Sequence, residues 1–216
     1  MSVWLHPLAV ATTSSPSRVE RRRAAVIAEA LDHAVELMTA EGVGALSVSE
    51  VARRMGIRGP SLYKYFPSRH AMYDALFARG LAAQQAAVQA AIDGVDRGVP
   101  RLRVGAAAVV LWAVEQPALA QLLHWRPVPG FEPSPAVFAR SVGEQSAVRA
   151  EFAEAVRLGQ LAPSADSDDV VRLYTVVLAG LISQQLANQP GVPYAEGVFS
   201  RLTDAAIEQF LSAHTP

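Results

Sequence analysis

The chain has 216 residues and no cysteine; 51% of its residues are hydrophobic, 18% are charged, and the formal net charge is −1. That size and apolar share suit one or two packed cores, the composition argues against disorder, and the absence of cysteine excludes a disulfide scaffold and any zinc site with thiolate ligands. Charge is unevenly spread: residues 1–80 carry 10 Arg or Lys against 7 Asp or Glu, whereas residues 81–216 carry 9 against 13, so an anionic partner is expected to meet the front of the chain.

Residues 1–17 read as a flexible N-terminal segment. They lack a basic opening, and His6 and Pro7 interrupt the apolar letters, which argues against a signal peptide. Arg18 to Ala40 has helical spacing, with Ile27, Leu31, Val35 and Met38 on one face and Gly42 as the closing glycine. Ser47-Val-Ser-Glu50 has the form of a capping box, with Ser47 at the N-cap and Glu50 reaching back; it opens a short second helix striped by Val48, Val51, Ala52 and Met55. Gly56 ends that helix. Pro60 suits the first position of a third, Leu62 and Phe66 form its apolar side, and Pro67 stops it.

Ser68 is expected to cap a fourth helix running to Ile92. A fifth runs from Arg101 to Glu115 with Leu102, Ala106, Val109 and Trp112 aligned, and a short sixth from Pro117 to His124. Arg126 to Pro135 is a Pro-rich connector. The seventh helix spans Ala136 to Leu158, carrying Phe138, Val142, Phe152 and Val156; the eighth begins at Asp168 and Asp169 and reaches Asn188; the ninth covers Tyr194 to Ala213. No segment alternates with period two. The reading is therefore all-α, about nine helices, with three short coupled helices in front of a longer helical bundle. The longest apolar run, Val176 to Ile182, falls far short of the ~20 residues of a membrane span, so a soluble, cytoplasmic protein is expected.

Two short helices joined by a tight glycine turn make a helix-turn-helix. Ala52 is small enough for close approach, Gly56 supplies the turn, and the second helix is then held outward for a major groove. Its leading end is Arg58, Gly59, Pro60 and Ser61. Gly59 and Pro60 let backbone approach base edges, while the forked donors of Arg58 suit guanine O6 and N7. Tyr63, Lys64 and Tyr65 offer hydroxyl and ammonium groups to phosphate oxygens. Ser68 and Arg69, with the first N–H groups of the fourth helix, make a second phosphate contact, and Ser47 joins the same surface. Arg21, Arg22 and Arg23 suit either phosphate or solvent.

Leu46-Ser-Val-Ser-Glu-Val-Ala-Arg-Arg-Met-Gly-Ile-Arg-Gly-Pro-Ser-Leu-Tyr-Lys-Tyr-Phe-Pro-Ser-Arg69 resembles the DNA-binding domain of TetR-family regulators, and the likeness runs from about Arg21 to Leu81. The chain departs from the usual pattern at Arg58-Gly59-Pro60, where many members carry a small polar residue, a variable one and Gly or Ala; this bears on the operator sequence. The resemblance implies a DNA-binding domain over 18–67 and a ligand-binding and dimerisation domain over 68–216. It also implies a homodimer formed by the last two long helices, a near-palindromic double-stranded operator, and repression relieved by a small ligand, hydrophobic or amphipathic given the apolar middle of the chain.

Trp112, Trp125, Phe138 and Tyr174 are candidate pocket-lining residues, although aromatics at helical spacing also make plain core. Gln116 and Gln145 fall on or beside apolar stripes, where a buried amide needs a neighbouring side chain or a ligand. Val177, Leu181, Phe199, Leu202, Ala206 and Phe210 suit either a dimer interface or packing within one subunit, with Ala179 and Gly180 permitting close helix approach. Two other readings exist: a regulator or activator blind to ligand, and a small-molecule enzyme drawing on Glu115, Glu132, Glu144 and His124. No nucleophile elbow, phosphate-binding loop or metal-ligand helix supports an enzyme, and no cofactor or metal is expected.

Overall fold

The computed structural model describes residues 17–216, apart from the side chain of Glu144. The segment expected to be a flexible lead-in, residues 1–16, lies outside them. Among the described residues the chain forms nine α-helices and no strand: α1 (Arg18–Glu41), α2 (Val48–Arg54), α3 (Gly59–Tyr63), α4 (Arg69–Ile92), α5 (Val99–Glu115), α6 (Pro117–His124), α7 (Pro135–Arg157), α8 (Asp168–Asn188) and α9 (Thr203–Ser212).

The reciprocal capping box forms at Ser17. Its hydroxyl accepts from the Glu20 amide at 3.2 Å and its own amide donates to Glu20 Oε2 at 2.7 Å. At Ser47 only half of the expected box exists: the hydroxyl accepts from the Glu50 amide at 3.4 Å, but the Glu50 carboxylate turns to Arg53 and Arg54. Two guanidinium groups within one turn outcompete a single neutral N–H. Pro60 occupies the second rather than the first position of α3, because Arg58 is the N-cap. The substitution is harmless there, since the N–H it lacks has no intrahelical partner either.

One apolar core runs from Ala30 in α1 to Leu211 in α9. Leu62 and Phe66 anchor the helix-turn-helix to it, and both are buried. α4 packs along α5 and meets α1, α6 and α7, so it joins the front of the molecule to the rear. Its Gly80 permits close passage over α6: a Cβ there would stand 2.6 Å from Leu123 Cδ1 and 3.5 Å from Leu119 Cβ. Phe152, Tyr174 and Phe210 form an aromatic cluster in the rear, with Phe152 and Tyr174 edge-to-face at 5.4 Å.

Two further expectations differ from the structure. Phe138 and Val142 are exposed while Phe152 is buried; the buried residues of α7, Phe152 and Ala155, lie in its C-terminal half. The ninth helix begins at Thr203, not Tyr194. The buried amide of Gln185 intercepts the chain before it: Oε1 accepts from the amides of Phe199 and Ser200, both at 3.1 Å, and Nε2 donates to the Gln189 carbonyl at 3.1 Å. These bonds satisfy backbone groups outside a helix, so the segment becomes a loop with one 3₁₀ turn, Ser200–Leu202. By length and composition α8 would suit a membrane span. However, Val171, Tyr174, Leu178, Ile182 and Gln185 turn one side of it into the core.

Candidate nucleic-acid interface and inner cavity

α2 and α3 meet through a turn in which Gly56 adopts φ 69°, a left-handed conformation that favours glycine. The Ile57 amide donates to the Ala52 carbonyl at 3.0 Å, closing that turn. The close approach of α3 follows from fully buried Ala52; at Gly59 a Cβ would make only an ordinary contact with the Ser49 hydroxyl, at 3.8 Å. Arg58, Pro60, Ser61, Tyr63 and Lys64 are consequently exposed at the tip, Tyr63 at 44%. Arg58 and Lys64 make no ion pair among the described residues.

The other candidate residues at this end have structural partners. The Ser47 hydroxyl is taken by its N-cap bond, and the Ser68 hydroxyl accepts from the Ala71 amide at 3.0 Å, capping α4. Tyr65 is half-buried beneath Arg23, whose guanidinium lies 5.1 Å from the ring centroid. Arg69 is exposed, with its guanidinium 5.9 Å from the Tyr73 ring. The cations of α2 are neutralised: Arg53 pairs with Glu50, and Arg54 bridges Glu50 and Glu41, pinning α2 to the end of α1. These hydrogen bonds hold the Glu50 carboxyl at a pKa of about 2. Arg58 and Lys64 thus stand at the tip as cations that the carboxylates of this end do not pair.

Two adjoining cavities lie behind, between α4, α5, α7 and α8. The larger, of about 320 Å³, reaches α6 and is bordered by Phe77, Leu123, His124, Phe138 and Gln145; the smaller, of about 220 Å³, ends at Arg101 and Glu151. Gln84, Val109, Val148, Tyr174 and Leu178 line both. Of the six pocket candidates, Phe138, Gln145 and Tyr174 thus meet at one site. Tyr174 contributes ring only, because its hydroxyl donates to the Leu102 carbonyl at 2.6 Å and burial pushes its pKa up. Trp112 is buried core, with its indole N–H unpartnered among the described residues, and borders neither cavity. Gln116 is exposed at the α5–α6 corner, and Trp125 lines a separate cleft with Gln121 and Leu186.

A third region is the outward side of α8 and the start of α9. Leu173 and Val176 are 51% and 63% exposed, and Leu202 is 46% exposed. Val177, Leu181, Phe199 and Ala206 are half-buried at its margin, whereas Phe210 belongs to the inner aromatic cluster. No heavy atom lies within 4 Å of where a Cβ on Gly180 would project.

Four long-range contacts were not announced by any spacing in the sequence. Tyr73 donates its hydroxyl to the Val43 carbonyl at 2.6 Å, and Phe131 from the Pro-rich connector packs on the Tyr73 ring at 5.4 Å. Asp74 accepts from the Ser134 amide at 2.7 Å and from its hydroxyl at 2.9 Å, fixing the start of α7 to α4. Gln84 Nε2 meets His124 Nε2 at 3.2 Å. The available clue to the last pair was Gln84 within the apolar stripe of α4.

Residues 30–76 match the family model for bacterial regulatory proteins of the tetR family. No curated protein matches the chain. Among solved structures it is similar to the regulatory protein SCO4313, with 26% identity and a TM-score of 0.72 over 92% of this chain and 100% of that one. It is also similar to the transcriptional regulator FadR from Bacillus subtilis in complex with stearoyl-CoA, at 14% identity and TM-score 0.72 over 86% and 97% of the two chains. The ketosteroid transcriptional regulator KstR2 of Mycobacterium tuberculosis gives 21% identity and TM-score 0.64 over 88% and 95%.

Proposed function

We propose that this chain, which carries the helix-turn-helix domain of TetR-family DNA-binding transcriptional regulators, is a homodimeric cytoplasmic repressor released from its operator by a small hydrophobic or amphipathic ligand. The observation that carries the reading is the course of α4. Its second turn is bonded to the DNA-reading unit through Tyr73 and Val43, and its middle, at Phe77, Leu81 and Gln84, forms a wall of the larger cavity. An occupant that favours another setting of α4 shifts the population of the tip away from DNA. The complex of the Bacillus subtilis protein with stearoyl-CoA supports a small-molecule occupant for a chain of this fold.

The exposed apolar side of α8, with Leu173, Val176 and Gly180, supports a self-complementary helix pair. A two-fold dimer would set two tips in successive major grooves roughly 34–36 Å apart, on a near-palindromic site. In this reading Arg58, Gly59, Pro60 and Ser61 face base edges, Tyr63 and Lys64 face phosphate, and residues 68–216 serve ligand binding and dimerisation. Selection of bound duplexes from a random pool tests it: the recovered site should be a near-palindrome. Recovery of no preferred sequence, or of an unpaired half-site only, would refute it.

A further inference from the structure

The ligand-release reading leaves the chemistry of the occupant to be found, and the cavity walls restrict it. Gln84 is only 6% exposed, sits where the two cavities adjoin, and has one hydrogen-bond partner among the described residues, His124. A carboxamide has two N–H donors and an oxygen with two lone pairs, so most of its capacity is unused. His124 borders the larger lobe, and desolvation lowers its pKa, which leaves the imidazole neutral at pH 7. Among the described residues, none in the wall of the larger lobe is Lys, Arg, Asp or Glu.

The smaller lobe does have charges, gathered at its far end, where two guanidinium groups share one carboxylate. Glu151 pairs with Arg97 at 3.0 Å and Arg101 at 3.7 Å and accepts from the Gly98 amide at 2.9 Å, while Arg101 Nε donates to the Val95 carbonyl at 2.9 Å. An ion whose charge lay beside Gln84 and His124 would lose hydration and meet no counter-charge among the described residues of the larger lobe. A neutral polar group would instead find the spare donors and acceptors of Gln84 and His124, flanked by aliphatic and aromatic wall on both sides.

We infer that Gln84 and His124 together select an uncharged hydrogen-bonding group, a hydroxyl, carbonyl or carboxamide, on an amphipathic ligand whose hydrocarbon occupies the adjoining lobes. This inference rests on the ligand-release reading and adds the specificity residues to it. The amide and the imidazole approach from α4 and from the end of α6, so one ligand group held by both also links those two helices.

Three probes of equal chain length separate the possibilities: 1-decanol, decanoate and decylammonium, each titrated calorimetrically at pH 7 into the full chain below its aggregation concentration. Decanol should bind at least about tenfold more tightly than either ion, and Gln84→Leu and His124→Phe should each weaken decanol by about tenfold. The second variant guards against a folding defect in the first, and circular dichroism checks both. Binding of decanoate or decylammonium as tight as that of decanol would overturn the selectivity while leaving a ligand cavity in place. Undiminished decanol binding in both folded variants would overturn the role of the pair. Failure of all three probes to bind would overturn the ligand-release reading itself and this inference with it.

Discussion

The phenol of Tyr73, on the second turn of α4, donates to the carbonyl of Val43 in the turn between α1 and α2 at 2.6 Å. Both residues are buried, at 0% and 4% exposure. The bond crosses from the long linking helix to the unit that holds the tip, and it satisfies a carbonyl that no water reaches. Tyr73→Phe keeps the ring against Phe131 and strands that carbonyl. Denaturant unfolding should therefore show a loss of about 1–3 kcal/mol. An unchanged midpoint would mean that the carbonyl finds another partner and that α4 is not tied to the front by this bond.

At the tip, Tyr63 and Lys64 are exposed and make little contribution to the core. Tyr63→Ala and Lys64→Ala should leave thermal stability within about 0.5 kcal/mol of the parent. Both should weaken operator binding, and Lys64→Ala should lower the salt slope by about one counter-ion. Anisotropy titrations at several salt concentrations measure this. Parental affinity and slope in both variants would place the docking surface elsewhere.

Much of the front was legible because its signals are local. Ser68 does cap α4, Gly56 does take a positive φ, and Leu62 and Phe66 do pack inward; each follows from residues at most four apart. The contacts between Gln84 and His124, Tyr73 and Val43, and Asp74 and Ser134 join different elements, and no short spacing announces them. Periodicity also fails where a stripe has no core to face: Phe138 and Val142 have the spacing of Phe152 and Val156, yet both are exposed, Phe138 at the border of the larger cavity. Glu50 illustrates a third limit, since the capping pattern is real but Arg53 and Arg54 take its carboxylate.

That competition makes Glu50 a pH-sensitive tie between α2 and its surroundings. Its carboxyl is held at a pKa of about 2, below the ordinary 4.5, chiefly by hydrogen bonds from Arg53 and then Arg54. As pH falls, the unfolded chain takes up this proton before the folded one does, so the stabilisation is complete above about 4.5 and is lost on the way down to about 2. Glu50→Gln should melt below the parent at pH 7, and the gap should narrow as pH drops through that window. A gap that stays constant would show that the pairs add nothing beyond the neutral amide.

Gln185 is fully buried and ties down the approach to α9 with three hydrogen bonds. Gln185→Leu preserves bulk but leaves the Phe199 and Ser200 amides without their acceptor. The expected cost is about 1–3 kcal/mol for each buried group left unmatched, read by chemical denaturation. Hydrogen exchange should rise first at residues 199 and 200, because those two amides lose protection directly, whereas the Val198 amide keeps its bond to Gln189 Oε1. Unaltered exchange there would mean that the loop is held by Ser200 and Tyr194 rather than by Gln185.

Leu173 and Val176 lie one turn apart on α8 and turn away from the core formed by Tyr174 and Leu178. If two copies pair through this side, a carboxylate at either position would be buried against its symmetry mate without a counter-charge. Leu173→Glu and Val176→Glu should each convert a dimer to monomer in sedimentation velocity, while the circular dichroism of the helices is retained. Loss of the dimer should also weaken operator binding by the product of lost avidity, since each half-site is then held alone. A dimer that survives both substitutions would assign the pairing surface to another face and leave the exposed side of α8 without a role in assembly.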